Sequence, residues 1–496
     1  MFFSKSKYCQ LWQCPKLLWL DKNRPEQKTL DTAREDRMSV GNQVGDLAMG
    51  LFGPFTETTV LKEDGWPDIP AMLKKTRQCM DEGVENICEA AFSYQGLYCA
   101  VDILRKEKDG YAIYEVKSAT HASQIYGVDI AYQKYVLEHC GIRVTGTYLI
   151  CINTDYSRGE ALDIHGLFQV IDMAEPVAEE YPMVEIRLKL ADRTLSSGAE
   201  PVQPIGNHCR TPYECPYWHY CTRELSSPSG FDLYNLPFQK AMDYYHKGVV
   251  SFSDFAALPK LNEKQQRQIR HQLFDLADEI NKDGIRDFLS SLHYPIYFFD
   301  FESMQQPIPQ YPGCKPYAQI PFQYSLHYIE VPGGELKHKE FLAQSGTDPR
   351  RAIAESICRD IPGDACVTAY NRSFECARLK ELAELFPDLA SHLLSVRDNI
   401  QDLLVPFRSG FYYNRAMGGS FSIKSVLPAL FPGEPELDYH NLEGIHNGGE
   451  AMSIFPKIKD MSPEDAAIAQ KNLLAYCKLD TYALVKVWQR LMEVSQ

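Results

Sequence analysis

The sequence predicts an α/β protein in which two mixed domains are joined by a helical connector. Strand-like and helix-like patterns alternate through residues 1–225 and again from residue 294 to the end. Residues 232–292 are instead strongly helical, with glutamine, lysine and arginine at the positions expected to be exposed. A chain of 496 residues is long enough to bury more than one core. We therefore expect domains at residues 1–225 and 291–496 and a connector at 226–290.

The first domain is predicted to contain a β-hairpin. Apolar runs at Leu97–Leu104 and Tyr111–Lys117 flank the turn Lys106–Gly110, whose Asp-Gly pair is typical of a hairpin. Other elements are expected before and after it: helices at the start of the chain, near Arg34–Leu51, from Ile69 to about Glu82 and over Ser123–His139, and a buried strand over Arg143–Ile152.

The second domain is predicted to open on a strand and to end in a helix. The apolar run Tyr294–Phe301 has the length and composition of a buried strand. A helical pattern covers about Pro463 to Met492, and Pro463 suits a first helical position. The candidate acidic residues of this domain lie on or between these two elements.

Composition excludes several classes of protein. Hydrophobic residues make up 45% and aromatic residues 12% of the chain, which excludes a disordered or fibrous protein. No apolar run approaches the length of a spanning helix, and the first residues lack the apolar region of a secretory signal. No G-x4-G-K-[ST] pattern occurs, so no ATPase motor is expected. We expect a cytoplasmic protein with no membrane partner.

The charge balance is acidic. Asp and Glu number 66 and Lys and Arg 51, giving a net charge of −15. Electrostatic affinity for nucleic acid requires basic surface, so a polyanionic partner would have to bind in local basic grooves on an acidic body. Such binding is expected to be weak and to depend on salt and on metal ions.

The hairpin carries a first set of chemical groups. Asp102 lies in the first strand, and Glu115 and Lys117 lie on one face at the end of the second. Two carboxylates suit Mg²⁺ or Mn²⁺, which prefer oxygen ligands, and such an ion lowers the pKa of an attacking water. The pattern therefore predicts metal-assisted phosphodiester hydrolysis, against the commoner alternative of a solvated hairpin face. Glu89 could be an additional ligand or a structural residue.

Four of the 15 cysteines form a second pattern. Cys209, Cys215 and Cys221 are spaced C-x5-C-x5-C, and Cys14 lies far upstream in a Cys-Pro pair. Four thiolates from the two ends of a domain suit a [4Fe–4S] cluster, and a zinc site with four cysteine ligands fits the count equally well. Ordinary buried thiols are the third alternative. The neighbouring histidines are expected to be structural: His208 and His219.

Together these residues resemble the RecB-like nucleases of the PD-(D/E)XK superfamily, in the iron–sulfur branch with CRISPR-associated and helicase-linked members. The resemblance covers residues 1–225 and implies a restriction-endonuclease-like fold. It implies metal ligation by Asp102 and Glu115, catalytic roles for Lys117 and Gln133, and cluster ligation by Cys14, Cys209, Cys215 and Cys221. The chain departs from the family at Gly45, where a histidine ligand is usual, and at Leu137, where a tyrosine is usual.

A second acidic set lies beyond residue 290. Asp300 and Glu302 leave the predicted strand at i and i+2, hence on one face, and buried carboxylates are costly unless a cation balances them. Glu375 falls in a first helical turn about 70 residues later. Tyr476 and Asp480 share one face of the last helix. Asp402 and Lys424 are further candidates, for a helix cap or supporting acid and for a phosphate contact.

In this order the residues resemble the DEDD group of DnaQ-like 3′–5′ exonucleases, which have an RNase H-like fold. The resemblance covers about residues 290–496. It implies that Asp300, Glu302, Glu375 and Asp480 hold two divalent ions about 3.5–4 Å apart and that Tyr476 orients the nucleophile. Glu375 stands where the family normally has aspartate. The order of the two domains also resembles a mostly uncharacterised bacterial family in which two nuclease-like domains are fused.

These patterns support one main hypothesis and two alternatives. The main hypothesis is a metal-dependent DNA exonuclease that prefers single strands, has two nuclease centres and acts in repair, recombination or defence. The first alternative is a nucleic-acid-binding or assembly protein in which one or both centres are inactive. The second is an RNA-directed 3′–5′ exonuclease, because nothing in the sequence distinguishes DNA from RNA.

Overall fold

The structure is a computed structural model that describes residues 3–29 and 34–496. It is of the mixed α/β class, as predicted. The chain divides into two compact units, residues 1–224 with 306–318, and residues 225–305 with 319–496. In the part of the chain that is described, no helix is long and apolar enough to span a membrane.

The first unit is built on a seven-stranded mixed sheet within the described residues. Its strands are β1 Phe3–Ser4, β2 Thr56–Glu57, β3 Asn86–Tyr94, β4 Leu97–Glu107, β5 Gly110–Val116, β6 Val144–Ile152 and β7 Phe168–Asp172. The order is β2-β3-β4-β5-β6-β7, with β1 parallel to β4. Strands β4 and β5 form the predicted antiparallel hairpin. Strand β6 is parallel to β5, so the chain crosses back between them through a helix.

Helices cover both faces of this sheet. They are α1 Lys5–Gln13, α2 Pro15–Asn23, α3 Arg34–Met49, α4 Ile69–Asp81, α5 Gln124–His139, α6 Ile164–Leu167, α7 Ala174–Ser196 and α8 Trp218–Thr222. Helix α5 is the crossover between β5 and β6. One core lies between the sheet and α5, and a second lies between the sheet and α3. The predicted opening helix is two helices, because Cys14 is extended between them.

Strand β3 is one of the elements that the sequence analysis did not predict. It pairs antiparallel with β4 over most of its length. Glu89 lies within it with a φ of 54°, and the strand pairing skips this residue. The run contains small and polar residues as well as apolar ones, so it lacks a clean period of two. Its position beside β4 places Glu89 close to the hairpin acids.

The second unit contains a five-stranded sheet in the order β11-β10-β9-β12-β13. The strands of this unit are β8 Glu279–Ile280, β9 Ile296–Met304, β10 Ile320–Ile329, β11 Lys337–Leu342, β12 Cys366–Ala369, β13 Ile400–Asp402 and β14 Tyr412–Tyr413. Strands β9, β10 and β11 are antiparallel neighbours, whereas β12 and β13 run parallel to β9. The central strand β9 is buried on both faces, which explains its almost continuous apolar run.

Helices pack on both faces of this sheet as well. They are α9 Phe238–Tyr245, α10 Phe252–Ala256, α11 Glu263–Phe274, α12 Lys282–Ser290, α13 Arg350–Asp360, α14 Ser373–Leu385, α15 Ala390–Asp398, α16 Val405–Arg408, α17 Ile423–Leu430, α18 Gly448–Ile454 and α19 Pro463–Ser495. The predicted connector is helical over α9–α12, and these helices belong to the second unit. The predicted last helix is α19, whose N-cap is Ser462.

Two cores lie on opposite faces of the second sheet, and β9 contributes to both. Tyr297, Phe299 and Phe301 pack with α13, α14 and α15. Ile296 and Phe298 pack with α17 and α19. Because side chains alternate along a strand, Asp300 and Glu302 continue the second set and point toward α19. This alternation determines where the acidic site forms.

Candidate functional site

The acids of β9 form the centre of a buried cluster in the second unit. One carboxylate oxygen each of Asp300 and Glu302 lies within 4.8 Å of the other and of the Cys477 Sγ. Glu302 is 7% exposed, and Cys477 is fully buried. The two acids were predicted from the sequence, whereas the cysteine was not. Within the described residues, this is the group of three whose donor atoms could surround one metal ion.

Helix α19 brings further predicted residues to the same place. Tyr476 and Asp480 lie one turn apart, and Tyr476 lies close enough to Asp480 to lower the pKa of that carboxyl. The Tyr439 hydroxyl donates a hydrogen bond to Asp480 Oδ1 at 2.6 Å. Tyr439 lies in the segment between α17 and α18, far from any acidic motif in the sequence. The hydrogen bond from Tyr439 orients the Asp480 carboxylate.

Glu375 lies in the first turn of α14, as predicted, and is 3% exposed. Its Oε2 atom is buried and makes no hydrogen bond within the described structure. An unpartnered buried carboxylate oxygen is costly, so this atom is the kind of group that a bound cation would satisfy. Its charge acts on both acids of β9, which ties the helix to the cluster.

Asp402 supports this arrangement from β13. Its Oδ1 accepts hydrogen bonds from the backbone N–H groups of Asn371 at 2.8 Å and Leu404 at 3.0 Å. Asn371 has a left-handed backbone with φ of 63°, two residues before α14 begins. Asp402 thus stabilises the turn that leads to Glu375. Both predicted alternatives for Asp402, a helix cap and a supporting acid, stay predictions.

Burial, followed by mutual repulsion, dominates the electrostatics of the cluster. Burial raises the pKa of Asp300 and of Glu302 well above the usual range, and the charge of Asp480 raises both further. Burial also raises the pKa of Glu375 to about 7 and that of Asp480 to about 6. Burial and Asp480 raise the pKa of Tyr476, which keeps its hydroxyl protonated. A cation would relieve the repulsion and let the acids ionise.

Two features define the surroundings of the cluster. Lys424, at the start of α17, lies close enough to lower the pKa of Glu302 and of Asp480. Gly448 begins α18, and a Cβ atom there would lie 3.5 Å from Glu302 Oε2 and 4.0 Å from the Tyr476 hydroxyl. The backbone at Gly448 therefore approaches the acids closely. The predicted lysine and an unpredicted glycine border the site.

The predicted hairpin acids converge in the first unit. Glu115 is fully buried and faces α5, while Asp102 accepts a hydrogen bond from the Val116 N–H at 2.7 Å. Lys117 forms ion pairs with Glu115 and with Asp129, the latter at 3.2 Å. Asp129 lies on α5 and was not predicted. The spacing Asp129-x3-Gln133 on one helix face was the signal available.

Gln133 joins these groups from the same helix. Its amide donates to Glu115 Oε2 at 2.7 Å and to Asp129 Oδ1 at 3.1 Å. Its own carbonyl oxygen is buried without a partner in the described residues. Gln133 therefore positions two carboxylates relative to each other. This contact network is compatible with the predicted role of Gln133 at the hairpin.

A lysine from the first helix lies between the two hairpin acids. Lys5 Nζ lies 3.3 Å from Asp102 Oδ1 and 3.0 and 3.2 Å from the two oxygens of Glu115. Nothing in the sequence pattern linked residue 5 to residues about 100 positions later. Burial and Asp102 raise the pKa of Glu89 to about 7, so this acid also faces the first centre.

Opposite charges set the protonation of the first centre. Burial alone would raise the pKa of Glu115, but Lys117 and then Lys5 lower it far below its usual range. Burial would lower the pKa of Lys117, and Glu115 and Asp129 raise it instead. The carboxylate of Glu115 is therefore ionised and both lysines are charged. The second centre contrasts with this, because Lys424 and Arg378 lower the pKa of its acids but burial still raises those pKa values above the usual range.

The four predicted cluster cysteines line one cavity in the first unit: Cys14, Cys209, Cys215 and Cys221. All four are free thiols, and all but Cys221 are buried. Cys215 N–H donates to the Cys209 carbonyl at 2.9 Å, which folds the C-x5-C segment into a loop. Burial raises the pKa of each thiol, and the charges of neighbouring thiols raise those of Cys14, Cys209 and Cys215 further. A metal would be needed to hold four thiolates together.

Four further residues of the first unit were singled out in the sequence: His208, His219, Leu137 and Gly45. His208 lines the same cavity, and its carbonyl accepts from Gln13 at 2.8 Å. His219 contacts the Thr29 hydroxyl at 3.0 Å. Leu137 is fully buried in the apolar core. A side chain at Gly45 would meet open space. The structural role predicted for both histidines stays a prediction.

The comparisons with known proteins identify no activity. Residues 297–422 match a family described as a domain of unknown function, DUF2779. That segment includes Asp300, Glu302 and Glu375. A similar protein is the Uncharacterized protein UU173 of Ureaplasma parvum serovar 3, which is 26% identical over 226 residues. The match covers 40% of this chain and 32% of the relative, so the chain spans about a third of that protein's length. No solved structure matches the chain.

Proposed function

We propose that this chain is a metal-dependent phosphodiester hydrolase, a DNA exonuclease whose main centre is the acidic cluster of the second unit. One observation carries the proposal. Acids from β9, α14 and α19, separated by up to 180 residues in the sequence, meet in one buried cluster beside two tyrosine hydroxyls. Burial of several like charges is maintained where a cation or a reaction requires it.

The residues present fit divalent cations. Asp300 and Glu302 offer oxygen atoms within 4.8 Å of each other, and Glu375 offers an unpartnered buried oxygen. Oxygen donors suit Mg²⁺ and Mn²⁺. When bound, such ions would neutralise charge on a scissile phosphate and supply an activated water.

The protein's own residues have three tasks in this proposal. Tyr439 donates a hydrogen bond to Asp480 and fixes its orientation, and the raised pKa of Tyr476 keeps its proton available for a hydrogen bond to a water or phosphate oxygen. Lys424 supplies a positive charge at the border of the cluster, where a phosphate would bind. Gly448 keeps the approach to Glu302 free of side-chain atoms.

The cysteine cavity supports a [4Fe–4S] cluster as a structural group, and the alternative, a zinc ion, requires the four sulfur atoms to move closer together. Four free thiols from two distant segments line it, which is the donor set both groups require. Either group would link Cys14 to the segment at residues 209–221. Its proposed role is to hold the ends of the first unit together.

The test is 3′–5′ degradation of a labelled single-stranded oligonucleotide with Mg²⁺ or Mn²⁺. We expect the double variant Asp300→Ala with Glu302→Ala to lose activity by on the order of 10³-fold, because it removes two charged groups that act on the reacting phosphate. A matched control is Asp283→Ala with Glu335→Ala, which removes two exposed acids of the same unit. Degradation by the double variant at the wild-type rate would disprove the assignment.

A second candidate function is nucleic-acid binding without cleavage. The observation that favours it is the Lys5 ammonium, which lies between the hairpin acids of the first unit. Tight oligonucleotide binding in a chelating buffer, with no cleavage after Mg²⁺ or Mn²⁺ is added, would support this candidate. Competition between DNA and RNA strands of one sequence distinguishes the DNA-directed from the RNA-directed enzyme.

A further inference from the structure

We propose that Lys5 is a built-in competitor of divalent cations at the first centre, so that its hairpin acids bind metal only when this side chain leaves them. The inference rests on the proposal that these acids can hold a metal. It goes beyond that proposal because it assigns a role to a residue outside any nuclease motif. The role is set by contacts from helix α1 to strands β4 and β5.

The position of the ammonium group is the first argument. Lys5 Nζ contacts both oxygens of Glu115, at 3.0 and 3.2 Å, and Asp102 Oδ1 at 3.3 Å. A cation held by these two acids would need the same oxygens. A lysine ammonium and a divalent ion cannot occupy this position together. Metal binding therefore requires the contacts of Lys5 to break.

The charge balance is the second argument. Four carboxylates face this centre: Glu89, Asp102, Glu115 and Asp129. The cations that face them are Lys5 and Lys117. Removal of Lys5 would leave one lysine against four acids, of which Glu115 and Asp129 are buried and the other two are partly exposed. An uncompensated group of buried charges attracts a replacement cation, so the vacated position would favour a metal ion.

The third argument is that helix α1, which carries Lys5, is held in place at both ends. Lys5 is the first residue of α1, whose N-cap Ser4 accepts from the Lys7 N–H. At the other end of α1, Gln13 donates to the carbonyls of His208 and Tyr213. Cys14, which follows, lines the cysteine cavity. The backbone of α1 is thus fixed at both ends, and the cysteine loop determines the position from which Lys5 reaches the acids.

Partial exposure makes the displacement feasible. The Lys5 side chain is 23% exposed, whereas that of Glu115 is fully buried. The lysine can therefore rotate toward solvent while the acids stay in place. A lysine side chain has four rotatable bonds and is strongly hydrated, so its exit does not require the helix to move.

The test measures Mn²⁺ binding by electron paramagnetic resonance on the full chain. All variants carry Asp300→Ala and Glu302→Ala, so that the second centre does not contribute. In this background Lys5→Met, which keeps the length but removes the charge, is expected to bind Mn²⁺ at least about tenfold more tightly, or about 1.4 kcal/mol. The matched control is Lys7→Met in the same helix, because Lys7 forms no ion pair within the described residues.

Two further measurements keep the outcome interpretable. Lys5→Arg retains a cation and is expected to bind Mn²⁺ as weakly as the unsubstituted lysine. If Lys5→Met lowers the melting temperature, added Mn²⁺ is expected to restore it, whereas Lys7→Met shows neither effect. Equal Mn²⁺ affinity for the Lys5→Met and Lys7→Met variants would overturn the inference. That result would leave the proposed function untouched, because the function is tested by cleavage at the second centre.

Discussion

At the scale of single residues, the second centre contains one donor that a purely oxygen-based metal site does not have. The Cys477 Sγ lies within 4.8 Å of carboxylate oxygens of Asp300 and Glu302. Sulfur binds soft cations such as Zn²⁺ and Cd²⁺ more strongly than Mg²⁺. The centre is therefore expected to bind both hard and soft ions, and the soft ions would compete with the activating ones.

The prediction is that Cys477→Ser weakens Cd²⁺ binding at this centre by about tenfold, since it replaces sulfur by oxygen at nearly constant size. Cadmium-113 NMR measures it, because a site with one sulfur ligand gives a signal different from that of an all-sulfur or all-oxygen site. The control is Cys376→Ser, a half-buried cysteine of α14. Retention of the mixed-ligand signal in the Cys477 variant would exclude the sulfur as a ligand.

The raised pKa values make a second residue-scale prediction. In the metal-free protein the pKa is about 7 for Glu375 and about 6 for Asp480, whereas both are about 4 in an unfolded chain. The folded state therefore binds more protons than the unfolded state between pH 4 and pH 7. Its free energy of unfolding falls as the pH rises through this window, by on the order of 3 kcal/mol per group.

Asp480→Asn tests this dependence, because asparagine stays neutral at every pH. We expect its melting temperature, relative to wild type, to rise between pH 4.5 and pH 8 in metal-free buffer. Differential scanning calorimetry measures the difference, and saturating Mn²⁺ is expected to stabilise the wild type at pH 8. A difference that does not change with pH would show that Asp480 is ionised throughout.

At the scale of elements, short cysteine-bearing segments close the first unit. Helices α1 and α2 flank Cys14, and α8 carries Cys221. Both segments contribute to one cavity although about 200 residues separate them. A metal group that bridges them would stabilise the unit by restricting the unfolded chain and by binding the folded state alone.

We predict that protein purified without oxygen contains iron and sulfide and is brown, and that Cys221→Ser loses the group. The loss is expected to lower the melting temperature of the first unit by about 10 °C, since bound structural metals contribute several kcal/mol. Elemental analysis and calorimetry check both points, with Cys358→Ser as the control. Zinc in place of iron would identify a zinc site with four cysteine ligands, and protein with neither would refute both.

At the scale of the whole molecule, two units of similar size are built on separate sheets, and each has one set of acids. Their charge environments differ. In the first unit two lysines balance the acids, whereas in the second unit the acids raise one another's pKa. A cation is therefore needed more at the second centre, which is the physical reason for assigning the main activity there.

The two acidic centres explain part of the net charge of −15. Several of the excess acids lie buried in the two centres, where they would be neutralised by lysine or metal rather than displayed to a partner. They account for part of the excess only. The expectation of weak nucleic-acid binding that depends on salt and metal stays a prediction.

The sequence by itself predicted the elements with strong periodicity and the acids they carry. The hairpin, β9 and α19 were predicted because alternation and helical spacing are local properties of the chain. The same local rules predicted which residues share a face, as for Tyr476 and Asp480. Strand β3 was missed because its mixed composition shows no clear period.

Only the tertiary structure decided which distant side chains complete the sites. Lys5 reaches Glu115, Tyr439 reaches Asp480, and Cys477 reaches Asp300 through packing of elements far apart in the sequence. No local pattern encodes such contacts, because they depend on the angles and distances at which helices pack against sheets. Motif spacing therefore indicated the kind of chemistry, while packing determined the charge that each acid experiences and thus the centre at which we propose the main metal site.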